Sequence, residues 1–200
     1  MSKKESTLLT MVLSLLFITA AAAAALSSVF MLTKPSIDKV QENKKVAARS
    51  AVLPGFKGTT VLQSVLLPDD ADSVYIYMAY NPDNTLYGAA VSTYTHKAFS
   101  GTFSLMVGFD SLGNILGTEV IQASETPGLG DKINKNKSDF ALQFVNMNPS
   151  QTDFCLKVKK DGGDVDAITA ATISSRAYCD AINRAARAYA TLREKGAQNE

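Results

Sequence analysis

An apolar stretch from Leu8 to Thr33 constrains this 200-residue chain more than any other feature. Only serines and threonines interrupt it, and it holds an alanine block from Ala20 to Ala25. At about 1.5 Å per residue it spans the roughly 30 Å hydrocarbon core of a bilayer with room for tilt. Two readings compete for such a segment. A cleaved export signal would open on Lys3 and Lys4 and be cut within the small-residue block. Apolar character continues, however, through Val29, Phe30, Met31 and Leu32, which favours an uncleaved anchor. The expected organisation is a short tail at 1–7, a transmembrane anchor at 8–33, a membrane-proximal helix at 34–53 and one domain at 54–200.

Flanking charges point both ways on orientation. Lys3 and Lys4 precede the anchor, while Lys34, Lys39, Lys44, Lys45 and Arg49 follow it. The positive-inside rule places the domain in the cytoplasm on that count. A short basic tail before an apolar run is also the form of an export anchor, which places the domain outside. From Pro35 to about Ala51, Ile37, Val40, Ala47 and Ala48 share a thin helical face among Lys and Glu, so a helix and a partly ordered linker both fit. Val52-Leu53-Pro54-Gly55-Phe56 ends this segment.

The chain carries 20 Lys+Arg against 19 Asp+Glu. Such a balance supplies no basic field to hold nucleic acid. One histidine, His96, and two distant cysteines, Cys155 and Cys179, do not form a metal cage or a dithiol motif. No metal site and no catalytic residue is assigned. Buried apolar thiols are the expected state of the cysteines, with a disulfide as the alternative.

Strand-like runs follow at Thr60–Leu67, Val74–Tyr80, Leu86–Thr95, Thr102–Phe109 and Ile115–Ala123. Asn81-Pro82-Asp83-Asn84 and Asp110-Ser111-Leu112-Gly113-Asn114 read as turns, so an antiparallel sheet is predicted. Phe103, Leu105, Val107 and Phe109 alternate and define its core face. Next comes Glu125-Thr126-Pro127-Gly128-Leu129-Gly130, whose glycines let backbone approach a flat ligand closely. A plain connecting loop has the same composition. A short helix at Ser138–Val145 offers Phe140, Leu142 and Phe144 for packing, and a strand is expected at Phe154–Val158. The last amphipathic helix, at about Ser174–Glu194, buries Tyr178, Ala181, Ile182, Ala185, Tyr189 and Leu192, with Arg184, Arg187 and Arg193 elsewhere.

Before that helix lies Asp166-Ala167-Ile168-Thr169-Ala170-Ala171-Thr172-Ile173-Ser174-Ser175. Hydroxyls beside the open amides of a helix start suit a phosphate, and an ordinary Ser/Thr cap without ligand has the same composition.

The run Asp166 to Thr172 resembles the flavinylation motif of FMN-binding domains, and Glu125 to Gly130 is similar to their second signature. With the anchor and the length, the chain resembles the family of G-type subunits of Rnf electron transport complexes and, more distantly, the C-type subunits of sodium-pumping NADH:quinone reductases. The resemblance implies an α+β fold: one amino-terminal transmembrane helix, then an FMN-binding domain with an antiparallel sheet and packed helices. It implies FMN joined through its phosphate to Thr172 by a separate flavin transferase that uses FAD. Thr169, Ala170 and Ala171 would border the attachment, Ser174 and Ser175 would meet the phosphate with their amides, and Glu125, Thr126, Gly128 and Leu129 would line the isoalloxazine. Ser100 and Gly101 form a weaker third lining segment. Glycine is commoner than Ala170 in the motif, and histidine is frequent where Ala123 stands. The implied role is electron relay among the membrane and iron-sulfur subunits of an ion-translocating complex, from the inner membrane with the domain outside the cytoplasm. An anchored structural or interaction module without flavin, and the equivalent flavoprotein of the sister quinone reductase, are the competing functions.

Overall fold

The structure is a computed structural model that describes residues 7–68, 70, 72–149 and 156–197. Lys3, Lys4, Ser150, Phe154 and Cys155 lie outside the described residues. The chain divides into two compact units, Met1–Asn43 and Lys44–Glu200.

Helix α1 (Leu8–Val52) runs unbroken through Pro35. The expected anchor and membrane-proximal helix therefore continue into one another. Proline forfeits a single amide bond while its φ stays helical, and Lys34 pairs with Asp38 across it at 3.2 Å. Leu9, Leu13, Phe17, Leu26 and Phe30 are exposed, and the helix is long and apolar enough to cross a membrane. Several of its hydroxyls turn inward onto the backbone. Ser14, Thr19, Ser28 and Thr33 each donate to the carbonyl four residues earlier, at 2.7–2.9 Å, so none of these four needs water.

In the second unit five strands form an antiparallel meander in the order β1-β2-β3-β4-β5: β1 (Thr59–Val65), β2 (Val74–Tyr80), β3 (Leu86–Ala98), β4 (Gly101–Asp110) and β5 (Ile115–Gln122). Both expected turns form. Asp83 accepts from Thr85, and the Asp110 carboxylate accepts the amides of Leu112 and Asn114. The β3–β4 hairpin is longer than the sequence suggests, so Phe99 and Ser100 become its tip, between Ala98 and Gly101.

Phe103, Leu105, Val107 and Phe109 are fully buried against the last helix, α2 (Thr172–Ala197). The opposite face is covered as well, by Ala48, Val52 and Leu53 against Ala79, Ala90 and Met106. Tyr178 of α2 is the centre of the main core. It packs against Phe140, Phe144 and Phe103 at centroid distances of 5.2, 5.1 and 6.2 Å. Its hydroxyl donates to Thr118 Oγ1 of β5 at 2.7 Å, and burial pushes its pKa well up. Tyr189 stacks on Phe109 at 5.3 Å and burial raises its phenol to about 12.

Three expectations need correction. The helix at 138–145 is a 3-10 turn, Asp139–Phe144, capped by Ser138 Oγ. Three residues per turn align Ala141 with Phe144 and turn Leu142 outward, 58% exposed. No strand forms at Leu156 and Lys157: the Asn183 side chain takes both the N–H and the carbonyl of Leu156, and Val158 makes one isolated bridge to Val165. Arg184 is also inside. It pairs with Asp70 at 2.8 Å and lies 4.2 Å over the Tyr94 ring, leaving its side chain 14% exposed. Apolar periodicity cannot reveal a cation that is buried with a partner.

Replacing Tyr178 by Phe keeps the aromatic packing and strands the buried Thr118 hydroxyl. A loss of about 1–2 kcal/mol in denaturant-unfolding stability is expected.

Candidate functional site

Where β5 ends, Ala123-Ser124-Glu125 carries the chain off the sheet, and Glu125 turns inward to 7% exposure. Its Oε1 accepts the Ser100 amide at 3.1 Å, from the tip of the β3–β4 hairpin. Its Oε2 accepts the Ser174 hydroxyl at 2.5 Å, from the first turn of α2. Gly130 closes over the pair. A Cβ there would lie 2.5 Å from Glu125 Oε2 and 2.7 Å from Ser174 Oγ, so any larger residue would have to displace that contact. One buried carboxylate thus gathers all three lining segments named from the sequence.

The loop that starts at Glu125 is braced from within. Leu129 and Asp131 both donate their amides to the Thr126 carbonyl. Gly128 turns the chain at φ +77. Asp131 pairs with Lys137, whose hydrogen bond holds that carboxyl below its usual range. Asn134 then donates to the Asp131 carbonyl, and Ser138 to that of Lys132.

The hydroxyl segment is fastened at its start by Gln143. The Gln143 side chain accepts the Asp166 amide at 2.8 Å and donates to the Asp166 carbonyl at 3.2 Å. Ala171 N–H then bonds Ile168 O in a tight turn, with Ala170 left-handed at φ +62. That conformation explains the commoner glycine at this position, because Cβ is strained there. Ala171 is buried, Thr169 and Ala170 are exposed, and Thr172 is half-exposed as the first residue of α2.

Of the two serines, Ser175 departs from its expected role, whereas the Ser174 amide keeps it. Ser175 spends its amide on the Ala171 carbonyl, while its hydroxyl accepts the Ile168 amide at 2.9 Å and donates to Ala171 O. It therefore locks the turn and cannot offer that amide to a phosphate. The Ser174 hydroxyl is committed to Glu125. The amides of Thr172, Ile173 and Ser174 precede this first intrahelical bond, and they are the donors the helix start can present.

Exposed apolar residues flank the junction in sequence. Phe99, Leu129 and Ile173 are 65%, 42% and 48% exposed, and each adjoins in sequence a residue of the Glu125 junction. Leu129 is anticipated from the loop motif. Phe99, Ile173, Gly130 as a packing position and Gln143 are not. An exposed aromatic at a hairpin tip was a readable signal, but Gln143, 23 residues from its partner, gives none.

Residues 98–187 match the model of the FMN-binding domain, a span that contains Ser100, the Glu125 loop and Thr172. The chain is 35% identical to the G-type subunit of the ion-translocating oxidoreductase complex of Haemophilus influenzae (strain 86-028NP) over 164 residues, 80% of this chain and 79% of that one. The chain belongs to this family of G-type subunits of ion-translocating oxidoreductase complexes. Other relatives of the same name are 35% identical in Salmonella typhi, covering 83% of this chain and 84% of that one, and 34% identical in Escherichia coli (strain K12), covering 80% of each. A distant likeness among solved structures is the crystal structure of Shewanella oneidensis NqrC, with 18% identity and a TM-score of 0.48 over 68% of this chain and 66% of that one.

Two substitutions test the geometry of the site in this family member. Ala170→Gly relieves the left-handed strain and should raise stability by up to about 1 kcal/mol, seen as a higher melting temperature. Gly130→Ala drives a methyl into the Glu125–Ser174 contact and should cost about 1–3 kcal/mol in urea unfolding.

Proposed function

We propose that this chain is the FMN-carrying electron-transfer subunit of an Rnf-type ion-translocating oxidoreductase, with the flavin bound covalently through its phosphate to Thr172 Oγ1. The observation that carries the reading is the junction at Glu125. Hairpin tip, glycine loop and helix start converge there, and Thr172 stands beside it at the helix opening. The residues fit the cofactor: the amides of Thr172, Ile173 and Ser174 can receive a phosphate, Leu129 offers apolar cover, and the left-handed Ala170 sets a half-exposed threonine at the turn. FMN supplies electron-transfer chemistry when bound. The protein holds and orients it.

Attachment forms a bond between the Thr172 oxygen and the proximal phosphorus of FAD and breaks the pyrophosphate bond. AMP leaves, and the threonine proton is released. The partner in that step is a flavin transferase, and later partners are the other membrane and iron-sulfur subunits of the complex. Within this reading residues 8–33 anchor the chain in the inner membrane, residues 34–53 form the membrane-proximal segment, and residues 54–200 form the flavin domain outside the cytoplasm. The internally bonded hydroxyls of α1 support the anchor.

Intact mass after co-expression with a flavin transferase tests the proposal. An adduct of FMN less one water, absent from Thr172→Ala, is expected. Unmodified wild-type protein would overturn it in favour of an anchored module without flavin.

A further inference from the structure

We propose that the free edge of β1 receives an extended, uncharged strand of another subunit of the complex, an inference that rests on the reading of this chain as one subunit of an assembled complex. Strand β1 ends the sheet and pairs along its whole length with β2, from Thr59 opposite Tyr80 to Val65 opposite Val74, without a bulge. Among the described residues no other backbone hydrogen bond reaches residues 59–65. The outer row of amides and carbonyls is therefore open. The opposite edge of the sheet is protected. Ile115 of β5 donates to the Met147 carbonyl and accepts the Asn146 amide, both at 2.8 Å, and Glu119 pairs with Lys135. A free edge is ordinarily blunted by charge, proline or a bulge. Here residues 59–65 and 74–80 contain no Asp, Glu, Lys, Arg or Pro.

Side chains along this edge lack cover as well. Val65 faces the main core with Val74, Ile76 and Met78, so alternation turns Leu62, Ser64 and Leu66 to the other face with Tyr75 and Tyr77. On that face Ala48, Val52 and Leu53 cover Ala79, Ala90 and Met106, and Arg49 lies 4.8 Å over the Tyr77 ring. Leu62, Leu66 and Tyr75 stay 55%, 61% and 52% exposed, and Val61, on the core side of the edge, 48%. Tyr75 stands opposite the small Ser64, which puts its ring within diagonal reach of Leu62 and Leu66. A bilayer is a poor occupant, because the open amides and carbonyls would go unmet in hydrocarbon. A second copy pairing β1 with β1 across a two-fold axis would set both exposed faces on one side and double the apolar patch. A strand from a different chain meets the backbone groups, and uncharged side chains at its alternate positions cover Leu62 and Tyr75.

Photo-crosslinking in the full chain, expressed with the other subunits and irradiated in the membrane, tests the proposal. Benzoylphenylalanine replaces Val61 in one variant and Leu62 in another, so the two probes leave the edge on opposite faces. Both should capture the same co-purifying subunit of the complex, within one stretch free of charged residues, as read by peptide mass. Ser64→Lys puts a charge on the exposed edge and should lower the crosslink from position 61 at least several-fold, with the melting temperature of the chain unchanged. Should that variant melt lower, Leu62→Lys takes its place. Capture from only one of the two positions, or of two different subunits, means bodies resting on one face and overturns strand addition. So does capture of a second copy, of lipid alone or of nothing in an assembled complex, and so does an undiminished yield in the lysine variant. Failure of other subunits to co-purify with the wild-type chain instead overturns the reading of this chain as a subunit.

Discussion

The hydrogen bonds of the Glu125 carboxylate are the constraint on which the site depends. The carboxylate reaches the hairpin tip through Ser100 and the start of α2 through Ser174. A buried carboxylate is costly unless its lone pairs are met. Each partner is therefore held as firmly as the charge demands. Gly130 lets the backbone close against this contact, and the bracing of residues 126–138 keeps the loop from relaxing away from it. The result is a rigid junction beside a threonine whose own turn is kept open by small residues.

The rest of the second unit supports that junction. Five strands place the β3–β4 tip and the end of β5 on neighbouring parts of one sheet, since β3, β4 and β5 are consecutive partners. Helix α2 is pressed onto the sheet by Tyr178, whose ring packs tilted and edge-on among three phenylalanines, and by Tyr189, stacked on Phe109, and the hydroxyl of each is bonded to the sheet side. Thr93, Thr95 and Lys97 add side-chain bonds from β3 to Ala181 and Asp180. A helix start fixed in this way can hold open amides in one place.

Much of the fold is legible in the residues. Turn chemistry at Asn81–Asn84 and Asp110–Asn114, with alternating apolar residues between, locates the strands because hairpin pairing is local. The amphipathic period of α2 is equally plain. Leu142 and Leu156 depart from expectation for a shared reason. A 3-10 turn and a side-chain clamp by Asn183 replace the helix and ladder that apolar content suggests, and both depend on what packs nearby. Arg184 shows the same limit for charge, since its burial requires Asp70 and Tyr94 to arrive from elsewhere.

At the site the division is similar. Thr172, the glycine loop and the hairpin segment are evident from motifs and small residues, as is the apolar run at Leu8–Thr33. By itself the sequence determined the apolar helix, the order of the five strands, the amphipathic last helix and the residue types available to a phosphate and a flat ring. Only the tertiary structure decided that Glu125 serves Ser174 and Ser100, that Ser175 locks a turn, that Gln143 clamps Asp166 and that Ala170 is left-handed. The reason is physical: turns and periodicity arise between near neighbours, whereas a hydrogen bond from Ser174 to Glu125 joins residues 49 positions apart and forms only after the sheet and α2 have packed.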